Sequence, residues 1–139
     1  MSTYYLTGPM SNLPFFNFPA FDNAAAALRG RGYELIVPSE QDSPQMQAFC
    51  RASLDGKWLD GNISGETWGD VLAKDVKTVA DKVDGLFLLP GWEHSRGSRL
   101  ECYAGVLCDK KFALYRPYLI GPNDDGITWV TEQYIRRFL

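Results

Sequence analysis

Glu101 is the residue whose position in this sequence most strongly suggests chemistry. It follows PGWEHSRGSR, a charged, glycine-containing turn between an apolar run and a helical pattern. A strand, such a turn and a helix N-terminus together form an anion-binding arrangement. A carboxylate just inside that arrangement has two interpretations. It completes a capping box with Ser98, or it is a nucleophile or acid directed into a crevice.

Asp75 is the second candidate, because it lies on the wrong side of its helix for a solvated residue. Residues 67–84 follow an amphipathic pattern, and Asp75 is one turn from both Val71 and Val79, within the apolar stripe. A carboxylate that faces a sheet costs free energy unless it is paired, so it is a functional candidate. The structural alternative is that it reaches water or the Thr78 hydroxyl at the edge of the stripe.

The other polar residues nearby have simpler interpretations. Asp81 lies four residues after Lys77, the spacing of a surface ion pair on a helix. His94 is the only histidine and no metal-ligand spacing accompanies it, so we expect neither a metal nor a cofactor. Arg96 and Arg99 flank the turn and either hold an anion or are simply exposed.

The elements that must position these residues alternate between strands and helices. Strands are predicted over 3–8, 33–38, 84–90 and 110–117, and helices over 18–32, 67–84, 95–108 and 126–139, with a shorter helix begun at Ser43–Pro44. This rhythm predicts an α/β fold, a small doubly wound, Rossmann-like parallel sheet with flanking helices, as one domain over 1–139. Ligands of such folds bind beyond the carboxyl ends of the strands, where the turn 90–97 falls.

Composition narrows the choice of partner. The 139 residues carry a net charge of −3 and no long cluster of Lys and Arg, which argues against a nucleic-acid polymer. No apolar stretch of 18 residues or leader-like start occurs, so we expect a cytoplasmic protein without a membrane partner. The three cysteines have no metal-binding spacing and are expected to be buried free thiols. A single nucleotide is not excluded by this composition, because two or three donors suffice to bind it.

Three segments together resemble the nucleoside 2-deoxyribosyltransferase-like family, which includes the nucleoside 5′-monophosphate N-glycosidases. They are YLTGP at 5–9, KDVKTVADKVDG at 74–85 and LLPGWEHSRGSRLECYAG at 88–105. The third, strand–turn–Gly-x-x-x-Glu-x-x-Ala, is the specific one. The start GPMSNLPFFNFPAF is similar to that of small phage and bacterial proteins of this family. The resemblance implies about five parallel strands, one more than the pattern predicts, and cleavage of an N-glycosidic bond.

The resemblance also implies roles for individual residues. Glu101 would be the nucleophile that attacks C1′ of the sugar, Asp75 would handle the base or its proton, and Tyr5 would orient the nucleophile. Such a division suits an oxocarbenium-like transition state, because the leaving base needs an acid other than the nucleophile.

The turn residues indicate the substrate within that resemblance. Relatives that act on free nucleosides carry an aspartate two residues before the glycine Gly97, whereas this chain has Ser95, as in the monophosphate hydrolases. A serine hydroxyl and backbone N–H groups suit a phosphate, and Gly8, Ser11 and Arg96 would complete the phosphate site. The expected activity is hydrolysis of a (deoxy)nucleoside 5′-monophosphate to free base and sugar phosphate.

Two alternatives stay open at this point: a transferase that exchanges bases between deoxynucleosides, and a module that binds a nucleotide without cleaving it. The loop 53–67, with Trp58 and the adjoining Trp68, is interpreted as a base-side wall or a lid. The family commonly forms dimers that share a residue, so a homodimer is expected, with 116–126 as the segment to inspect.

Overall fold

The computed structural model describes residues 2–58 and 65–139. Its strands are β1 (Thr3–Thr7), β2 (Glu34–Ile36), β3 (Gly85–Leu88), β4 (Lys111–Tyr115) and β5 (Ile127–Val130). Its α-helices are α1 (Phe18–Gly30), α2 (Pro38–Gln41), α3 (Pro44–Ala52), α4 (Trp68–Lys82), α5 (Arg96–Leu107) and α6 (Glu132–Arg136), and single 3₁₀ turns span Pro14–Asn17, Trp92–His94 and Pro117–Leu119.

The strands form one sheet in the order β2-β1-β3-β4-β5. The first four are parallel, and β5 pairs with β4 in the antiparallel sense. The prediction of a small doubly wound α/β fold is therefore confirmed. Chain order reverses between β1 and β3, so the crevice expected of such sheets opens at the carboxyl ends of these two strands.

Two expectations about the C-terminal segment are wrong. The helix predicted over 126–139 is β5 followed by the short α6, and the fifth strand is antiparallel rather than parallel. The spacing of Ile127 and Val130 suits a helix, but this stretch finds its hydrogen-bonding partners on β4, where the two residues point to opposite faces of the sheet. Gly126 enters the strand with φ of +79°, a left-handed conformation that does not continue a right-handed helix.

The sheet buries an apolar layer on each face, as strands covered by helices on both sides must do. One layer includes Tyr5 and Val79, with α4, α5 and α6 packed against it. The other includes Tyr4 and Phe21 and lies under α1. Tyr4 and Tyr5 therefore point to opposite faces, as the period of a strand requires, and Tyr5 shares its face with the helix that carries Glu101.

The segment after β2 contains more regular structure than its weak pattern predicts. Val37 leads into α2, and the predicted start of the next helix is confirmed, since the Ser43 hydroxyl accepts a hydrogen bond from the Met46 N–H as an N-cap. The interpretation of the loop 53–67 as a lid lies partly outside the described residues. Within 2–58 and 65–139, no helix has the length and apolar character needed to cross a membrane.

Candidate active site

A cavity of about 690 Å³ opens beyond the carboxyl ends of β1 and β3. This volume is typical of small-ligand sites. Seven of the eight predicted site residues line it: Gly8, Ser11, Asp75, Ser95, Arg96, Gly97 and Glu101. The eighth, Tyr5, is buried beneath the cavity floor and reaches it through Glu101. Residues that are distant in sequence thus converge at the switch point of the sheet.

The Glu101 carboxylate is held by two hydroxyls of β1. Tyr5 Oη donates to one carboxylate oxygen over 3.0 Å, and Thr7 Oγ1 donates to the other over 2.5 Å. Ser98 Oγ lies 2.9 Å from Thr7 Oγ1 and acts as donor in that pair, because the single Thr7 proton is directed to Glu101. Tyr5 and Thr7 are two residues apart and so share one face of the strand. These hydrogen bonds fix the orientation of the Glu101 carboxylate relative to the sheet.

Burial dominates the electrostatics of this carboxylate. Glu101 is 7% exposed, and burial together with the negative charge of Asp75 raises its pKa to about 8, although the Thr7 and Tyr5 hydroxyls favour the ionised form. Burial and the neighbouring Glu101 charge also raise the pKa of Tyr5 well above its ordinary value. Tyr5 is therefore a donor to Glu101 throughout the neutral range and not an acid in its own right.

Asp75 belongs to the same electrostatic system. Burial on α4 raises its pKa to about 6, the adjacent Lys74 lowers it, and the charge of Asp42 raises it further. The Tyr5 hydroxyl also interacts with it and opposes the rise. Thr78, the alternative partner considered from sequence, instead donates to the Lys74 carbonyl. Asp75 thus faces the cavity and Glu101 rather than a structural partner on its own helix.

The N-terminus of α5 presents donors to the cavity. Ser95 is the N-cap and accepts a hydrogen bond from the Ser98 N–H, so Ser98 is not the cap and Glu101 does not close a capping box with it. The N–H groups of Arg96 and Gly97, in the first turn, have no acceptor within the described part of the chain. The first turn contains no acidic residue and begins with Arg96, although the helix dipole disfavours a cation there. An anion in the cavity would satisfy both features.

Gly8 and Gly97, the two glycines predicted to belong to the site, are required for different reasons. A Cβ at Gly8 would lie 2.7 Å from Leu89 Cβ, so strand packing alone excludes a side chain there. A Cβ at Gly97 would meet nothing closer than Ser95 Oγ at 4.0 Å. Glycine at a helical position costs about 1 kcal/mol relative to alanine, and packing gives no reason to accept it at Gly97. Close approach of a ligand to the backbone is a sufficient reason.

The loop after β1 forms a second wall and is backbone-strained. Phe15, Phe16 and Asn17 all have positive φ, of 57°, 50° and 59°. Hydrogen bonds hold the loop in place, among them Phe15 N–H to the Ser53 carbonyl at 2.7 Å and Asn17 Nδ2 to the Pro9 carbonyl at 2.8 Å. Residues other than glycine keep a left-handed conformation only where several surrounding contacts hold them in it, and such residues are common at ligand sites.

The far side of the cavity is aromatic and acidic. Trp58 and Trp68 line it with ring centroids 5.7 Å apart, in agreement with the interpretation of these residues as a wall. Asp42 and His94 also line the cavity. Sequence reasoning did not select Asp42 or Thr7. Thr7 had a usable signal, its position two residues after Tyr5, whereas Asp42 had none.

The pair predicted to be structural is structural. Lys77 Nζ lies 2.7 Å from an Asp81 carboxylate oxygen on the exposed side of α4. Within residues 2–58 and 65–139, no three His, Cys, Asp or Glu side chains are grouped to hold a metal ion. The donors that converge on the cavity are hydroxyls, backbone N–H groups and Arg96, a set that suits an organic anion.

Comparison with known proteins places the chain in one family. Residues 2–112 match the model of a domain of unknown function, DUF4406. The chain belongs to the DUF4406 family. The match covers β1 to the start of β4 and so includes every cavity residue described above. No curated protein and no solved structure matches the chain significantly.

Proposed function

We propose that this DUF4406 protein hydrolyses the N-glycosidic bond of a nucleoside 5′-monophosphate, as the resemblance to the nucleoside 2-deoxyribosyltransferase-like family implies. One observation carries the proposal. A buried glutamate, oriented by Tyr5 and Thr7, shares a 690 Å³ cavity with a second carboxyl group and with the open N-terminus of α5. A module that only bound a nucleotide would gain nothing from a buried carboxylate beside an anion site.

Glu101 supplies the nucleophile in this mechanism. Its carboxylate oxygen forms a bond to C1′ as the bond from C1′ to the base nitrogen breaks, and the bonding electrons leave with the base. Asp75 donates a proton to the departing base. Water then attacks C1′ of the glycosyl-enzyme, its proton returns to Asp75, and the C1′–Glu101 bond breaks to release the sugar phosphate. In the overall reaction, one nucleotide and one water molecule give one free base and one sugar phosphate.

The two carboxyl groups must hold one proton between them for this reaction. Burial raises the pKa of Glu101 to about 8 and that of Asp75 to about 6, so the pair carries one proton between these values. Because the pKa of Glu101 is the higher of the two, that proton rests on Glu101 in the free protein, although the Tyr5 and Thr7 hydroxyls favour its ionised form. The reactive arrangement, with Glu101 ionised and the proton on Asp75, forms when the proton passes from Glu101 to Asp75 in the substrate complex.

The phosphate is assigned to the first turn of α5. Ser95, the N–H groups of Arg96 and Gly97 and the Arg96 side chain supply the donors, and Ser11 faces them from the loop after β1. A phosphate there interacts favourably with the helix dipole. The phosphate and Glu101 then contact opposite ends of one sugar, which keeps their charges apart.

The test is chromatographic analysis of the reaction of wild type and Glu101→Gln with ribo- and deoxyribonucleoside monophosphates, modified pyrimidines included. Base released by wild type alone supports the proposal and identifies the substrate. A parallel reaction that contains a second free base separates a hydrolase from a transferase, which would form a new nucleoside. No release from any nucleotide, with a nucleotide still bound, would indicate a binding module.

Assembly and location remain predictions from the sequence. We propose a homodimer and a cytoplasmic location, where free nucleotides and free thiols occur together. All three cysteines are free thiols, and Cys50 and Cys102 are buried as expected, but Cys108 is exposed because it lies at the C-terminal end of α5. Sedimentation of the purified protein tests the dimer.

A further inference from the structure

Asp42 is a cavity residue to which the proposed mechanism assigns no role. It lies between α2 and α3, its side chain is 19% exposed, and it lines the same cavity as Asp75 and Glu101. Lys74 Nζ is 4.0 Å from its carboxylate. The backbone fold does not need this side chain, since the nearby hydrogen bond from Gln47 Nε2 goes to the Asp42 carbonyl.

The sheet topology separates Asp42 from the phosphate site. The phosphate site follows β3, Glu101 is hydrogen-bonded to β1, and Asp42 follows β2. Strand β1 lies between β2 and β3, and neighbouring strands are about 4.8 Å apart. A nucleotide with its phosphate at α5 and its C1′ over Glu101 therefore directs its base toward the Asp42 side of the cavity.

We propose that Asp42 is a specificity-determining residue that selects a base with an exocyclic amino group beside a ring-nitrogen acceptor, namely cytosine or adenine, over uracil or hypoxanthine. This inference rests on the proposed function. Asp42 accepts a hydrogen bond from the amino group, and Asp75 donates to the adjacent ring nitrogen when it carries the proton in the reactive arrangement of the proposed mechanism.

The chemistry of the two base edges supports this choice. Cytosine and adenine present an amino donor next to an acceptor, whereas their keto counterparts present an oxygen at the amino position, and carboxylates are known partners of the cytosine amino group. A keto oxygen opposite an ionised Asp42 places two acceptors in contact and leaves both without a partner. Burial raises the pKa of Asp42 to about 6. The nearby Lys74 lowers this pKa and the charge of Glu66 raises it, so the group is mainly ionised at neutral pH.

The kinetic test compares matched pairs of substrates, CMP against UMP and AMP against IMP, by kcat/KM for base release. We expect the amino member of each pair to be favoured by about tenfold or more in wild type. In Asp42→Asn the amide can donate to a keto oxygen, so the preference should fall to near equality or reverse. Asp81→Asn, the same change on the exposed side of α4, is the matched control and should keep the wild-type preference.

A binding arm separates this inference from the proposed function. Calorimetric titration of Glu101→Gln, with and without Asp42→Asn, measures affinity for the same four nucleotides without turnover. If the protein prefers amino bases and Asp42→Asn removes that preference, the inference is supported. This holds even if wild type releases no base, a result that would overturn only the proposed function. Any of three results overturns the inference: base release without an amino preference, a preference that Asp42→Asn leaves intact, or no binding of any of the four nucleotides.

Discussion

The two ends of the cavity are built in different ways. At the nucleophile end, Glu101 is buried and both of its carboxylate oxygens accept hydrogen bonds from residues of β1. At the base end, Asp42 and Asp75 are partly buried on different segments, and the wall beside them includes Trp68, which is 39% exposed.

In the proposed mechanism, this difference separates chemistry from recognition. The proposed nucleophile, Glu101, is held by hydrogen bonds to the central strand β1 and by its own helix α5. At the base end, Asp42 lies in the connection between α2 and α3, and connections tolerate sequence change better than the elements they join. We therefore expect substitutions at Glu101, Tyr5 and Thr7 to change rates and substitution of Asp42 to change which substrate is used.

Removal of the nucleophile has the largest expected effect. Glu101→Ala should lower the turnover of the nucleotide identified in the screen about a thousandfold or more, because no other group can form the glycosyl-enzyme. The measurement is base release under single-turnover conditions. Tyr103→Phe, on the exposed side of the same helix, is the control and should retain wild-type rates. Turnover that persists in Glu101→Ala contradicts the assignment.

A negative charge at the phosphate site should have the next largest effect. Ser95→Asp keeps a good N-cap but places a carboxylate beside the phosphate, and it should weaken CMP binding at least about tenfold. Ser95→Asn, which caps equally well without charge, is the matched control. Titration of Glu101→Gln carrying each change, with CMP and with cytidine, gives the comparison. Equal losses for both ligands would mean that the first turn of α5 does not hold the phosphate.

Thr7→Val tests the hydrogen bond that sequence reasoning missed. Loss of a hydrogen bond to a charged group is worth about 1.5–3 kcal/mol, so kcat should fall about tenfold or more. Because that bond favours the ionised form of Glu101, the pKa of Glu101 should rise and the rate should recover partly at higher pH. Thr7→Ser keeps the hydroxyl and should restore the profile. A lower rate with an unshifted pH profile would indicate a packing defect instead.

The smallest expected effect concerns stability. The pKa of Glu101 is raised from 4.5 to about 8, so between these values the folded protein holds a proton that the unfolded chain has released. The resulting stability is fully present below pH 4.5 and is lost as the pH rises toward 8. Glutamine at this position does not titrate, so Glu101→Gln should not lose stability over this pH range. Its melting temperature should exceed that of wild type by about 4 °C or more at pH 8.

The control for that measurement is Asp81→Asn, which changes an exposed carboxylate on α4. Its melting temperature should follow the wild-type pH dependence between pH 4.5 and 8. Parallel curves for wild type and Glu101→Gln over the same range would show that Glu101 is not protonated in the folded protein.

Much of the fold and most of the candidate site could be predicted because the signals are local. β1 and β3 are short apolar runs closed by Gly or Pro, the Ser43–Pro44 helix start is a local capping signal, and Asp75 stands out within the stripe of its own helix. Glu101 follows a turn whose composition is unusual for a purely structural connection. Each of these features can be read within one turn or one strand.

The remaining features depend on contacts that no local pattern encodes. Thr7 and Glu101 are 94 residues apart, and only the packing of α5 on β1 joins them. β5 follows from pairing with β4, since its apolar spacing suits a helix. Asp42 lines the cavity from the connection between α2 and α3, and its residue type and spacing do not mark it as a cavity residue.

The spacing of Tyr5 and Thr7 makes the active site sensitive to strand alignment. Both hydroxyls reach Glu101 because they share one face of β1, which pairs Tyr5 with Ile36 on one side and with Leu86 on the other. A shift of β1 by one residue would turn both hydroxyls to the α1 side and bring Tyr4 and Leu6 to the face of Glu101, so the Thr7 hydroxyl would be lost as a donor. Under the proposed function, catalytic activity thus reports that the central strand has formed in its native alignment, which a misaligned chain would lack.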